Sequence, residues 1–267
     1  MSSLAVAQFA PGADTAANLA TIRELAHRAV RRGATLVVFP EYSTYFTAEM
    51  DSTWHEHAEP LDGAVVDALA AIASDLHVTL VAGVLESVRD DAARISNTLV
   101  AVSAAGDILA TYRKLHLYDA FGQKESEWVA PGALGTPETF AWESFTVGMQ
   151  TCYDIRFPEV TRTLVDAGAD LVLVPSEWVR GPLKEAHWRT LVTARAIENT
   201  VYVAAADHAP PVGVGNSMIV DPMGVEIATI GETTDVAVAE LSRERLASTR
   251  RSNPALALRR FAVVPGS

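Results

Sequence analysis

Uninterrupted apolar runs recur along the chain, and a run without polar alternation is typical of a strand that is covered on both faces. The clearest runs lie at residues 36–39, 145–149 and 201–206. Further strands are predicted at 78–84 and 236–241, and a hairpin at 97–103 and 108–112. Apolar residues at helical spacing predict helices from Asp14 or Thr15 to Gly33, and at 62–76, 184–198 and 242–251. Residues 42–60 are predicted to form a polar, aromatic-rich loop.

The second half of the chain repeats the order of the first. Three pairs of segments match: 4–8 with 146–150, 33–40 with 168–175, and 97–100 with 216–219. Between the second and the third of these matches, a helix followed by a strand also occurs in both halves. Chance would explain one match between buried strands, but not several in the same order. The pattern therefore predicts two copies of one unit, with two sheets packed face to face and helices outside. The first match makes Ala10 the counterpart of Cys152.

Composition limits the classes of protein that the chain can belong to. It has 267 residues, 49% hydrophobic and 20% charged, which is typical of a globular protein. No linker rich in Pro, Gly or Ser divides it, so we predict one domain over 1–267, with 252–267 as a tail. The net charge of -12 opposes binding to nucleic acid.

A single cysteine excludes an intrachain disulfide and fits a reducing compartment, so we predict a cytoplasmic protein. The N-terminal apolar run is predicted to be a strand and not a signal peptide, because it is short and no basic segment precedes it. No apolar run is long enough to suggest a membrane span, and no membrane partner is expected.

Glu41, Lys114 and Cys152 each follow the end of a predicted strand, which is where sites are assembled in layered α/β folds. Taken singly, a lone cysteine is usually a small buried hydrophobe, and a Glu or Lys is usually a solvated charge. Together they offer a nucleophile, a base that can take its proton, and a cation that can stabilise an oxyanion. Cys152 precedes a helix N-terminus, which favours the thiolate.

Other candidate sites are weaker. His55 and His57 alternate on a loop without a third ligand, so no metal is expected. A papain-like pairing of Cys152 with His116 or His187 lacks the matching cysteine segment, and His116 is better interpreted as a support for the turn at Lys114. No cofactor is expected. We further expect Asp154 and Arg156 to form a pair that shapes the bend after Cys152.

Segments 39–41, 112–116 and 151–159 resemble the signature segments of the nitrilase superfamily, the carbon–nitrogen hydrolases, and the resemblance covers nearly the whole chain. It implies a four-layer α-β-β-α sandwich of two mixed sheets with internal pseudo-twofold duplication. It also implies Glu41 as general base, Lys114 as oxyanion stabiliser and Cys152 as nucleophile. Our hypothesis adds the backbone N–H of Tyr153 as a second oxyanion donor.

The same resemblance implies a second glutamate in a Glu-Ser segment before Pro-Gly. Glu125 matches this pattern, while Glu127 is close enough to remain an alternative. Its expected role is to position Lys114 or the substrate, or to assist the hydrolytic water. The resemblance further implies a homodimer or larger homo-oligomer, and the apolar tail at 252–267 is compatible with a place in its interface.

Segments 152–159 and 198–204 are similar to the ω-amidase and deaminated-glutathione-amidase branches, which imply a small amide whose acyl chain carries a carboxylate. True nitrilases usually have Trp-Glu after the cysteine, so Tyr153-Asp154 favours amides. Residues 175–178 depart from the ω-amidase pattern. Tyr42 and Trp178 are predicted to line the pocket, and a core or interface role is the competing interpretation for Trp178.

The predicted function is hydrolysis of a small terminal ω-amide to carboxylate and ammonia through a cysteine thioester. The alternatives are an aliphatic amidase or nitrilase, an N-carbamoyl amidase, and a scaffold that has lost catalysis. The presence of Glu41, Lys114 and Cys152 together argues against the last alternative.

Overall fold

The computed structural model describes residues 2–89, 91 and 93–265, and within them the chain forms twelve strands and six α-helices. The strands are β1 Ser2–Gln8, β2 Leu36–Val38, β3 Thr79–Ser87, β4 Ile95–Val102, β5 Ile108–Arg113, β6 Thr139–Trp142, β7 Phe145–Met149, β8 Leu171–Ser176, β9 Tyr202–Asp207, β10 Met218–Val220, β11 Glu226–Thr229 and β12 Asp235–Leu241. The helices are α1 Thr15–Arg31, α2 Thr53–Glu56, α3 Ala64–Leu76, α4 Pro158–Asp166, α5 Lys184–Asn199 and α6 Arg243–Ser252.

The strands form two six-stranded mixed sheets. The first has the order β12-β1-β2-β3-β4-β5, and the second has the order β6-β7-β8-β9-β10-β11. In each sheet three consecutive strands are parallel, β1-β2-β3 and β7-β8-β9, and the other pairs are antiparallel. The second sheet therefore repeats the first, with β6 in the place of β12. This confirms the two related halves predicted from the sequence.

Side chains of the central strands alternate between two cores, which explains why their sequences are apolar without interruption. Leu4 and Val6 of β1 belong to a core that also contains Leu171 and Tyr202 of the second sheet. Ala5, between them, packs in the core under α1 and α3. A third core joins the outer face of the second sheet to α4 and α5. The layers are thus α-β-β-α, as expected.

Two of the three sequence matches are one residue out of register. If 33–40 corresponds to 168–175, Val38 is equivalent to Leu173. Val6 pairs with Val38 and Met149 pairs with Leu173, so Val6 corresponds to Met149 and not to Gly148. The counterpart of Cys152 is then Phe9, and the prediction of Ala10 was wrong. A slip of one residue moves side chains to the opposite face, which composition alone does not reveal. The match of 97–100 with 216–219 is also one residue out, in the opposite direction, because the strand pairings make Ala101 and not Val100 the counterpart of Ile219.

The predicted helix ends agree with local capping. Asp14 accepts a hydrogen bond from the amide of Ala17 at 3.1 Å and begins α1. Pro158 stands at the first position of α4. The predicted loop at 42–60 contains the short helix α2, whose Trp54 packs with Tyr42, Tyr45 and other apolar side chains in a separate cluster. None of the described helices is long and apolar enough to cross a membrane.

Candidate active site

Three strand ends bring the predicted catalytic residues to one cavity of about 390 Å³. Glu41 follows β2, Lys114 follows β5 and Cys152 follows β7. All three side chains line this cavity, although they are almost fully buried, with exposed fractions of 1%, 2% and 6%. The site therefore combines residues from both halves of the chain.

Lys114 lies between two carboxylates. Its Nζ donates to Oε1 of Glu41 at 2.9 Å, and to Oε1 and Oε2 of Glu125 at 3.0 and 2.9 Å. Asn97 Nδ2 donates to Oε1 of Glu41 at 2.6 Å, and the Tyr42 hydroxyl donates to Oε1 of Glu125 at 2.6 Å. This network fixes the ammonium and both carboxylates relative to one another.

The structure distinguishes the two candidates for the second glutamate. Glu125 is 5% exposed and contacts Lys114 directly. The Glu127 side chain is 60% exposed and pairs with Lys124 at 3.2 Å. Of these two glutamates, only Glu125 contacts Lys114 in the described part of the chain, which supports Glu125 for the role that the sequence left open.

Burial and charge pairing shift the pKa values of this cluster in opposite directions. Burial acts to lower the pKa of Lys114, but the charges of Glu125 and Glu41 outweigh it and hold that pKa well above its usual value. Burial acts to raise the pKa of Glu125, but Lys114 and the hydrogen bonds to the carboxylate outweigh it and leave that pKa below its usual value. Lys114 and Glu125 are therefore both charged at neutral pH.

Cys152 begins a short 3-10 helix, Cys152–Arg156, with a φ of 42°. This left-handed conformation is strained for a residue with a Cβ and is often found at functional positions. The thiol Sγ lies 3.5 Å from the carbonyl oxygen of Glu177. Tyr153 follows in the first turn of the helix, where backbone N–H groups have no acceptor within the helix.

The direction expected for the thiol pKa was wrong. Burial is the largest cause that raises the pKa of Cys152 well above its usual value, and the charge of Glu41 is the next largest. The charge of Lys114 lowers this pKa but only partly offsets the rise. A helix N-terminus favours a thiolate when the helix is regular and the thiol is partly hydrated. Here one 3-10 turn follows the cysteine and the sulfur is buried. The resting thiol is therefore neutral and needs a base.

Asp154 links the bend at Cys152 to the segment that carries Lys114. It is fully buried and accepts from the Tyr112 hydroxyl at 2.7 Å and from the backbone N–H of Thr151 at 3.1 Å. It also lies 2.9 Å from the backbone nitrogen and 2.8 Å from Nδ1 of His116. His116 thus has the supporting place expected of it, while the expected pair of Asp154 with Arg156 does not form.

Two residues that hydrogen-bond the Glu41 carboxylate were not predicted. Asn97 holds Glu41 through its amide, and its only sequence signal was a polar residue inside a buried strand. Glu177 lines the cavity, and its backbone N–H donates to Oε2 of Glu41 at 2.7 Å. Burial, followed by the charge of Glu41, raises the pKa of Glu177 well above its usual value.

Tyr42 and Trp178 both lie in the wall of the cavity, and each is 2% exposed. The indole Nε1 of Trp178 donates to the carbonyl oxygen of Lys184 at 2.9 Å, and its ring packs on Trp188. Trp178 therefore serves as a core residue and as part of the wall. Contact of either residue with substrate remains a prediction.

The two loop histidines do not converge on a common point. His55 Nε2 hydrogen-bonds the carbonyl oxygen of Ala93 at 2.7 Å, while the ring of His57 stacks on Tyr45. Within residues 2–89, 91 and 93–265, no group of three His, Cys, Asp or Glu side chains is arranged to hold a metal ion.

The sequence is also similar to those of known proteins. Residues 3–251 match the sequence model of the carbon–nitrogen hydrolases. A hydrolase of Mycobacterium tuberculosis is 35% identical over 263 residues, which cover 92% of this chain and 91% of that protein. A deaminated glutathione amidase of Synechocystis sp. is 34% identical over 255 residues, which cover 91% of this chain and 93% of that protein.

A solved structure shows the same fold with a modified cysteine. It is a variant of an amidase from Nesterenkonia sp. AN1, with a TM-score of 0.80 and 27% identity over 97% of this chain and all of that chain. Its description records Michael addition of acrylamide at the active site cysteine of that amidase.

Proposed function

The chain belongs to the carbon–nitrogen hydrolases of the nitrilase superfamily and is an amide-hydrolysing enzyme, and from this premise we propose that it cleaves a small terminal amide through a thioester on Cys152. The proposed products are a carboxylate and ammonia. The observation that carries the proposal is the convergence of Glu41, Lys114 and Cys152 on one cavity.

In the first step Glu41 takes the proton of the thiol while the sulfur attacks the amide carbon. A base is required because burial raises the pKa of Cys152 and keeps the resting thiol neutral. The carbonyl oxygen becomes an oxyanion, for which Lys114 Nζ and the backbone N–H of Tyr153 are the proposed donors. Loss of one such donor typically costs about 2.7–4 kcal/mol in the barrier.

In the second step the C–N bond breaks, and Glu41 returns the proton so that ammonia leaves. A water molecule then attacks the thioester while Glu41 takes one of its protons. The C–S bond breaks and Glu41 returns that proton to the sulfur, which restores the thiol and the free base. Glu125 acts in this scheme by holding Lys114, to which it is bonded through both carboxylate oxygens.

The test compares the wild-type enzyme with Cys152→Ala in ammonia release from 2-oxoglutaramate, propionamide, a simple nitrile and an N-carbamoyl amino acid. Wild type is expected to prefer 2-oxoglutaramate, and the variant is expected to fold and to be inactive. Near wild-type turnover by Cys152→Ala would show that the thioester mechanism is wrong. A mass increase on Cys152 with a slow substrate would support it.

A small aliphatic amidase is the second candidate. The observation that favours it is the acrylamide adduct described for the Nesterenkonia amidase, since acrylamide is a small neutral amide. Faster turnover of propionamide than of 2-oxoglutaramate would favour this candidate. Failure to hydrolyse any of the compounds, together with an unreactive thiol, would favour a scaffold without catalysis.

A homodimer or larger oligomer also stays a proposal. In the tail, Leu256 packs against the core between the second sheet and helices α4 and α5, whereas Leu258 and Phe261 are 70% and 91% exposed. Apolar side chains that are this exposed at the end of a chain are suited to burial by a second copy. Light scattering of the full chain, and of a Phe261→Ser variant, would measure the assembly and the contribution of the tail.

A further inference from the structure

Lys184 is a buried cation in the wall of the active-site cavity. It begins α5, is 7% exposed and lines the same cavity as Cys152. Its Nζ donates to the Tyr118 hydroxyl at 2.9 Å and lies 5.0, 4.7 and 5.2 Å from the ring centres of Tyr118, Phe121 and Trp178. Among the described residues no carboxylate forms a salt bridge with it. An ammonium that is buried without a carboxylate is costly, so this position is suited to an anion from outside the chain.

Arg156 adds a second positive charge beside the same aromatic ring. Its guanidinium carbon lies 4.8 Å from the centre of the Trp178 ring. Its Nε and Nη2 atoms are buried and have no hydrogen-bond partner in the described part of the chain. Burial, with Arg156 second, lowers the pKa of Lys184, which is consistent with two cations that repel each other.

A buried acid of the same cavity, Glu177, is not paired with either cation, and its Oε1 has no hydrogen-bond partner among the described residues. Glu177 attracts Lys184, but the two side chains form no salt bridge in the described structure. Burial, followed by the charge of Glu41, raises the pKa of Glu177 well above its usual value, and this disfavours the carboxylate form that would attract Lys184. Among the described residues neither Lys184 nor Arg156 forms a salt bridge with a carboxylate, whereas Glu41 and Glu125 are both paired with Lys114.

We propose that Lys184 binds a carboxylate at the far end of the substrate's acyl chain, with Arg156 strengthening the positive potential at this end of the cavity. The inference rests on the proposed function and assigns a residue to its substrate class: the monoamide of a linear dicarboxylic acid. The amide lies at Cys152 and the carboxylate lies at Lys184, so one end of the chain orients the other for attack. A lysine that only held the Tyr118–Phe121 loop in place would support all amides equally.

The test compares glutaramate with glutaramide, in which a neutral amide of similar shape replaces the carboxylate. The measured quantity is the ratio of their kcat/KM values in wild type, Lys184→Met, Lys184→Arg and Lys124→Met. Wild type is expected to prefer glutaramate. Lys184→Met is expected to lower the ratio by roughly 10- to 100-fold, mainly through KM, which is the effect of one hydrogen bond to a charged group. Lys184→Arg is expected to keep much of the preference.

Lys124→Met is the matched control. Lys124 is also at the edge of the cavity, but its side chain is 71% exposed and is paired with Glu127. Removing its solvated charge is expected to leave the ratio unchanged. An equal loss of the ratio in this control would mean that the general potential of the cavity mouth, and not Lys184, selects the anion.

Two further measurements do not depend on turnover by a variant. In wild type, added salt is expected to raise the KM of glutaramate more than that of glutaramide.

The second measurement labels Cys152 either with acrylamide or with fumaramate, a similar reagent that also carries a distal carboxylate. The sulfur adds to the C=C bond and the thiol proton moves to the neighbouring carbon. The ratio of the fumaramate rate to the acrylamide rate is expected to fall in Lys184→Met, as measured by mass spectrometry.

The outcomes separate this inference from the proposed function. If wild type hydrolyses both amides without preferring glutaramate, the role of Lys184 is wrong and the amidase remains. Equal losses for both amides in Lys184→Met would assign it a structural role and overturn the inference. If wild type hydrolyses neither these nor the other amides, the proposed function fails and this inference fails with it.

Discussion

Glu125→Gln is the substitution whose effect the structure defines most sharply, because the carboxylate is surrounded by donors alone. Oε1 accepts from Tyr42, Asn97 and Lys114 at 2.6, 3.2 and 3.0 Å. Oε2 accepts from Lys114 and from the backbone N–H of Tyr118 at 2.9 and 2.6 Å. A glutamine has the same shape, but its NH₂ group must replace one of these oxygens. In either orientation a donor would face other donors.

The cost follows from the groups that lose their acceptor. A buried donor left without a partner costs about 1–3 kcal/mol, and more when the lost bond involves a charge. Lys114 keeps Glu41 but loses the second carboxylate. The expected loss is therefore about 2–5 kcal/mol of the free energy of unfolding, a large part of the usual total of about 5–15 kcal/mol. If Glu125 positions Lys114 for the oxyanion, kcat/KM falls by roughly 10²- to 10³-fold.

The pH dependence has a defined sign. Burial acts to raise the pKa of Glu125, but Lys114 outweighs it and holds the pKa below the usual value. A depressed carboxyl pKa contributes stability that is present above the unfolded value, about 4.3, and lost as the pH falls through the folded value. The gap in stability between wild type and Glu125→Gln is therefore expected to be complete at neutral pH and to close only in acid.

Urea unfolding at neutral and acid pH, with equal slopes for the compared proteins, measures this gap. Glu127→Gln is the control, because its side chain is 60% exposed and pairs only with an exposed lysine. We expect its stability to stay within about 0.5 kcal/mol of wild type. The reasoning is refuted if Glu125→Gln is as stable and active as wild type, or if Glu127→Gln shows the larger loss.

Two other predictions concern the position of Glu41. A Cβ on Gly83 would lie 2.5 Å from the amide nitrogen of Tyr42 and 2.7 Å from Cα of Glu41, so Gly83→Ala should displace the base and reduce kcat. Gly135→Ala meets no atom of the described residues within 4 Å and should leave kcat unchanged, and equal kcat values in the two variants would contradict this account. His208 Nε2 donates to the backbone oxygen of Glu41 at 2.7 Å, and burial lowers the pKa of His208 to about 4. The free energy of unfolding should therefore have its full value above a pH of about 6.5 and should fall by up to about 3 kcal/mol toward pH 4. Urea unfolding should show a smaller fall in His208→Gln.

The long elements could be predicted because their sequences carry the pattern that burial requires. A strand covered on both faces must be apolar throughout, as residues 171–174 are, and α1 shows both its cap and its apolar spacing. The short elements α2 and β6 could not, because packing at distant positions decides them. Trp54 of α2, for example, belongs to a buried cluster that includes Leu85, Ile95 and Val129.

The site was predictable where a residue follows a strand and unpredictable where it acts across the chain. Glu41, Lys114 and Cys152 come together because their strands end near the same cavity. Asn97 contacts Glu41 through a side chain that is distant in sequence, and no local spacing indicates that contact. The thiol pKa depended on burial, which a single sequence does not give.

The duplication explains the sheets, and its loss of symmetry explains the position of the site. With the register of the structure, the counterpart of Cys152 is Phe9, which is 2% exposed and packs edge-on against Phe39. The counterpart of Glu41 is Ser176, whose hydroxyl donates to the nearby carbonyl of Val174. At the position where the second half has a thiol, the first half thus has an apolar ring. Because the thiol comes from one half and its proposed base from the other, neither half holds both of them, and the proposed chemistry requires that the two sheets pack together.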